Sequence, residues 1–93
     1  MHIGVLTLSL SIGYADSLKD KRQAIKSLVA RVRNKFNVSV AEVDDLDAWR
    51  RATVGVTVVS NSAVFATQVL QKVIDYVDND ANVVLDDYGI ELL

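Results

Sequence analysis

Lys19, Lys21, Arg22 and Lys26 crowd into the segment SLKDKRQAIKSLVARVRNKF, residues 17–36. Cations at that density suit the binding of an anion, phosphate above all. The segment holds seven of the chain's ten Lys and Arg residues against one acid, Asp20, a local charge of +6 in a chain whose net charge is −2. Other chemistries find less material. His2 is the only histidine, stands beside Met1, and belongs to no Ser/His/Asp arrangement. Asp44, Asp45 and Asp47 lie close together but lack the ligand spacing and the glycine of a calcium loop, so they read as a solvated acidic turn. Cysteine is absent, which removes thiolate chemistry and any disulfide framework. Neither GxGxxG nor GxxxxGK[ST] is present to cradle a phosphate. We therefore expect no catalytic residue, no metal and no cofactor, and a protein that is not an enzyme.

The element that must carry the cations is a helix. Leu18, Ile25, Leu28, Val29, Val32 and Phe36 fall on one arc at about 100° per residue, an apolar stripe for packing on a sheet. Ser17 is placed to cap the helix, with Asp20 three residues on approximating a capping box. The same projection sets Lys19, Arg22, Lys26 and Arg33 along one flank of the stripe and Arg31 and Lys35 along the other. Arg31, Arg33 and Lys35 complement the negative end of the helix dipole and need no further role. Lys19, Lys21 and Arg22 oppose the dipole at the other end, where a bound anion would offset the cost.

The remaining elements follow in order. Residues 2–12 alternate Leu6, Leu8, Leu10 and Ile12 with Thr7, Ser9 and Ser11, a strand with one buried face. Asn37 to Val43 reads as a second strand, followed by the acidic connector Asp44 to Ala48. Arg50 to Ser60 reads as a third, with Ala52, Val54, Val56 and Val58 on one face and Thr53, Gly55, Thr57 and Val59 on the other. Asn61 to Ala63 caps a second helix that runs to Asp78, its apolar stripe made of Val64, Phe65, Val69, Leu70, Val73, Ile74 and Val77. After the turn cluster DNDAN, a fourth strand from Val83 to Leu92 is expected to bend around Asp86 and Asp87.

The order β-α-β-β-α-β predicts an α+β, ferredoxin-like domain over residues 1–93, a four-stranded antiparallel sheet with two helices on one face and the first and third strands at its centre. Its open face would show Thr7, Ser9, Ser11, Thr53, Gly55 and Thr57. RNA-recognition motifs of the same topology stack bases on aromatic residues at these places, so any RNA here is held by charge and shape instead. Acylphosphatases of this topology need an arginine in the loop after the first strand, and GYADS has none. No apolar run approaches membrane-spanning length and no signal peptide opens the chain, so a cytoplasmic protein without a membrane partner is expected.

Trp49 lies between the acidic connector and the pair Arg50–Arg51. It reads either as a plug packed under that connector or as a partly exposed contact residue. Arg50 and Arg51 should point to opposite faces, so only one of them joins a given patch.

With SLKDKR at 17–22, FNVSVAEVD at 36–44 and Trp49 followed by arginine, the chain resembles the YlxP-like family of small bacterial proteins of uncharacterised function. The resemblance spans essentially the whole chain. It implies a ferredoxin-like fold, a bacterial source and a tie to translation, since genes of such proteins often neighbour those for a ribosome-binding factor and an initiation factor.

Two readings stay open. In the first the protein binds RNA or a ribosomal subunit, with Lys19, Lys21, Arg22, Lys26 and one of Arg50 and Arg51 on phosphates. In the second it is a protein-interaction or self-assembly module, a homodimer through a sheet edge or the open face, with Trp49, Ile90 and Leu92 as contacts.

Overall fold

The computed structural model describes residues 1–93. Strand β1 (His2–Ser11) is followed by helix α1 (Leu18–Lys35), strands β2 (Ser39–Asp44) and β3 (Arg51–Ser60), helix α2 (Ala63–Asp78) and strand β4 (Val84–Leu92). The sheet order is β2-β3-β1-β4 with every neighbouring pair antiparallel. The fold is ferredoxin-like, with β1 and β3 central as the sequence predicts. No helix is long and apolar enough to cross a membrane.

Period-two alternation builds the sheet. Leu6, Leu8 and Leu10 pair with Val56, Val54 and Ala52, and all six are buried on the helix side. On the other side Thr7, Ser9 and Ser11 pair with Gly55, Thr53 and Arg51 and stay accessible. The core they close includes Ile25, Leu28 and Val32 of α1 and Ala66, Leu70, Val73, Ile74 and Val77 of α2. Leu93 exchanges both backbone hydrogen bonds with Ile3, so Leu93, Ile3 and Val59 give the open face an apolar end absent from its hydroxyl-rich reading.

Both helices start on capping serines. Ser17 Oγ accepts from Asp20 N at 3.1 Å and Ser62 Oγ from Phe65 N at 3.2 Å. Asp20 reaches back to Asp16 N at 3.1 Å, one residue further than a capping box requires. In β4 the register slips between the pairs Ser9–Asp87 and Leu10–Leu85, leaving Asp86 unpaired in the ladder, where its carboxylate accepts from the Ser11 hydroxyl. That is the bend expected at Asp86 and Asp87.

Several expectations are corrected. β2 begins at Ser39 rather than Asn37, because the Val38 N–H is taken by Phe36 O at the end of α1. Val64 and Phe65 lie outside the buried stripe of α2, 68% and 56% exposed, and Ala66 takes the core position instead. Small size is what that place demands: β1 passes so close beneath α2 that a Cβ on Gly4 would sit 2.9 Å from Leu70 Cδ1.

Candidate nucleic-acid interface

At one end of the sheet, where Ser11 faces Arg51 and Val84, the loops Ile12–Ser17, Asp45–Arg50 and Asn79–Val83 meet the start of α1. The sequence-predicted cations distribute unequally around it.

Lys21 is withdrawn from the surface. It is 0% exposed, four, seven and eleven residues before Ile25, Leu28 and Val32, and so occupies the core stripe of α1. Its Nζ meets Glu42 Oε2 at 2.5 Å and donates to the carbonyls of Asp45 at 3.0 Å and Leu46 at 3.2 Å. All three donors are used, which is the condition for burying an ammonium. The expectation that Lys21 contacts phosphate is therefore corrected: it holds the β2–β3 loop onto α1. Asp45, in the same loop at φ 58, uses its carboxylate to accept from Thr53 Oγ1 at 2.8 Å. The acidic connector is thus an organised turn, and its acids are not all solvated.

Lys19, Arg22 and Lys26 remain exposed along the flank of α1 that faces β2. Spacings of three and four residues place them in one row about 10 Å long, at about 1.5 Å per residue. Arg22 has only a loose contact, 3.9 Å to an Asp47 that is 95% exposed. Further along this flank Arg33 Nη2 donates to Val40 O at 3.0 Å, tying α1 to β2.

The two adjacent arginines part company, as alternation requires. Arg50 folds toward α1, its Nε donating to Ala15 O at 2.9 Å while Nη2 stands 3.6 Å from Asp16. Arg51 lies on the open-face side, 3.5 Å from Asp45, which also holds Thr53. Both sit at this end of the molecule, but only Arg50 lies on the side that carries the α1 row. Trp49, beside it, is 56% exposed, and Tyr14 of the facing loop is 54% exposed. The reading of Trp49 as a buried plug is thereby corrected, because Lys21 and Ala48 fill the space under the connector. Ala48 N donates to Asp45 O at 3.1 Å there.

The proposed protein-contact residues at the other end also divide. Ile90 pairs with Leu6 and packs against the core, so it offers little surface. Leu92 is 46% exposed and shares a shallow depression with Val64 on the helix side.

Sequence reasoning did not find the Arg31–Asp80 pair, 2.5 Å apart, which ties α1 to the turn after α2. Burial alone would push the Asp80 carboxyl up, but the Arg31 guanidinium, with the N–H groups of Asn82 and Val83, holds it below its ordinary value. Arg31 is correspondingly raised, by Asp80 against its own desolvation and with help from Tyr76. The pair borders a groove of about 540 Å³ between the helices, floored by Phe36 and Tyr76, whose rings meet edge to face at 5.8 Å. Nothing in the sequence spacing couples residues 31 and 80.

The family described as "Protein of unknown function (DUF503)" matches residues 3–89. The chain belongs to the DUF503 family. Within it, the chain is similar to "Uncharacterized protein YlxP" of Bacillus subtilis (strain 168), 40% identical over 77 residues, which cover 83% of this chain and 84% of that protein. The YlxP-like resemblance read from the sequence is confirmed, and for this DUF503 protein the geometry above carries the functional argument.

Proposed function

We propose that this DUF503 protein is a non-enzymatic RNA- or ribosome-associated binding protein that contacts phosphates with Lys19, Arg22 and Lys26 and receives help from Arg50. The observation that carries the reading is the row on α1: three exposed cations on one flank, none in a tight ion pair, with Lys19 and Arg22 near the helix N-terminus where their charge opposes the dipole. The gene neighbourhood implied by the YlxP-like resemblance supports a ribosomal setting. The acidic remainder of the chain favours a localised contact over general affinity for nucleic acid, since residues 61–93 hold one lysine against six acids.

The test is binding to isolated ribosomal subunits and to a structured RNA fragment over a salt series, wild type beside the triple variant K19A/R22A/K26A. All three residues are exposed, so the variant keeps its fold. Saturable binding is expected, with the salt slope of the variant lower by about 2 units if three single-strand phosphate contacts are lost. Absence of wild-type binding at low salt would overturn the reading.

Self-association has one observation in its favour. Met1, Val59, Val64, Phe65, Leu92 and Leu93 leave the other end of the molecule apolar and at least 46% exposed. Isologous pairing of β4 with β4 is opposed by its own charges, because Asp86, Asp87 and Glu91 would approach their counterparts along the shared edge. Sedimentation that stays monomeric at high protein concentration would remove this second reading.

A further inference from the structure

Trp49, beside Arg50 in the β2–β3 loop that Arg22 contacts at Asp47, is displayed on a platform that is fixed from below. Trp49 is more than half exposed, although a tryptophan is ordinarily among the most buried residues by area. The loop that carries it is clamped: Ile12 N donates to Arg50 O at 2.9 Å, Arg50 Nε donates to Ala15 O at 2.9 Å, and buried Lys21 holds the carbonyls of Asp45 and Leu46. A loop fixed in this way loses little further freedom when something lies on it. Arg22 and Arg50 flank the platform, each in a loose contact with an acid that is itself almost fully exposed.

We infer that Trp49 stacks an unpaired base of the bound strand, so that the ligand of this site is single-stranded or looped RNA rather than a duplex. The inference rests on the RNA-binding reading above and adds its substrate class. In a duplex the base faces are covered by their neighbours, and an A-form helix is recognised through its minor groove and phosphates. An exposed ring beside cations matches the other arrangement, in which charge follows the backbone and an aromatic takes a base. Here the arrangement is displaced from the usual sheet face, which is Thr, Ser and Gly, to the loops at its end. A protein partner would find the same ring, but the neighbouring Lys19, Arg22, Lys26 and Arg50 favour a polyanion.

Trp49 is the only tryptophan, so its fluorescence reports the contact directly. The experiment titrates wild type, W49L and K19A/R22A/K26A with an unstructured twelve-nucleotide RNA and with a duplex of the same length, after equal melting temperatures have shown that the variants fold. Quenching by the single strand is expected, with affinity for it about tenfold weaker in W49L and no matching loss on the duplex. Single-strand binding that depends on the basic row but neither quenches Trp49 nor weakens in W49L overturns the stacking while leaving the RNA reading intact. No RNA binding by the wild type overturns both. Release of a protein from ribosomal subunits by W49L, with RNA affinity unchanged, overturns the stacking in favour of a protein contact.

Discussion

Removing the Lys21 ammonium would leave the Glu42 carboxylate and the carbonyls of Asp45 and Leu46 facing a void under the β2–β3 loop. Lys21→Ala should therefore cost about 3 kcal/mol in urea unfolding, the scale expected when one partner of a buried pair is lost. The double variant K21M/E42Q should regain much of that, since it removes the unpaired charge and restores the volume. No recovery would mean that the carbonyl contacts dominate. Arg31–Asp80 makes a separate prediction. Asp80 is held below its ordinary value of 3.8, so the pair stabilises the fold fully above that value, and its contribution is lost as pH falls through the lower, folded value. Asp80→Asn should cost on the order of 1 kcal/mol at neutral pH, a small figure because Arg31 is 39% exposed and screened. The difference from wild type should close in acid, and a constant difference across pH would count against this assignment. These two pairs also mark where sequence reading stops at single residues. Position 21 continues the stripe of Ile25, Leu28 and Val32, yet a lysine there reads as surface until the loop above supplies acceptors.

Close approach of β1 and α2 is the packing feature most sensitive to one added carbon. Gly4→Ala should destabilise by about 1–3 kcal/mol, as overpacking does, because the new methyl would meet Leu70 at 2.9 Å and Val58 at 3.1 Å. Gly55→Ala should cost less, since its nearest neighbour is the 58% exposed Val43, which can turn away. Thermal melts of the two variants side by side would check the ranking. Ser17→Ala should cost about 1 kcal/mol through the lost cap on Asp20 N. The elements themselves were legible to within about two residues, because β1, β3, α1 and α2 each carry strong periodicity and two serines announce the helix starts. β2 was less well bounded, its first residues being spent on leaving α1. The exposure of Val64 and Phe65 was hidden for a related reason: periodicity names an arc but not its centre, and contact with β1 shifts that centre to Ala66.

Across the whole molecule, charge is sorted by use. Arg31, Arg33 and Lys21 fasten α1 to its surroundings, while Lys19, Arg22 and Lys26 stay available. The +6 of the segment therefore overstated the free charge, and only coordinates could separate fasteners from contacts. The candidate site was half legible in the same sense: Lys19, Arg22 and Lys26 were named with one of Arg50 and Arg51, but Lys21 was misplaced and the exposure of Trp49 was left open. Raising the salt should weaken the proposed RNA binding while hardly moving the melting temperature, since the fasteners are short and partly buried and the row is not. A parallel fall in both would show that the row also holds the fold together. The sealing of Lys21 has one more consequence, for covalent chemistry. Acylating reagents should modify Lys19 and Lys26 quickly in the native protein and leave Lys21 untouched, because its amine is reached only when the loop bearing Trp49 lifts from α1. The rate at which that one amine becomes labelled, read by mass spectrometry, is then a clock for the opening of this end of the molecule, and a ligand seated on the platform should slow it.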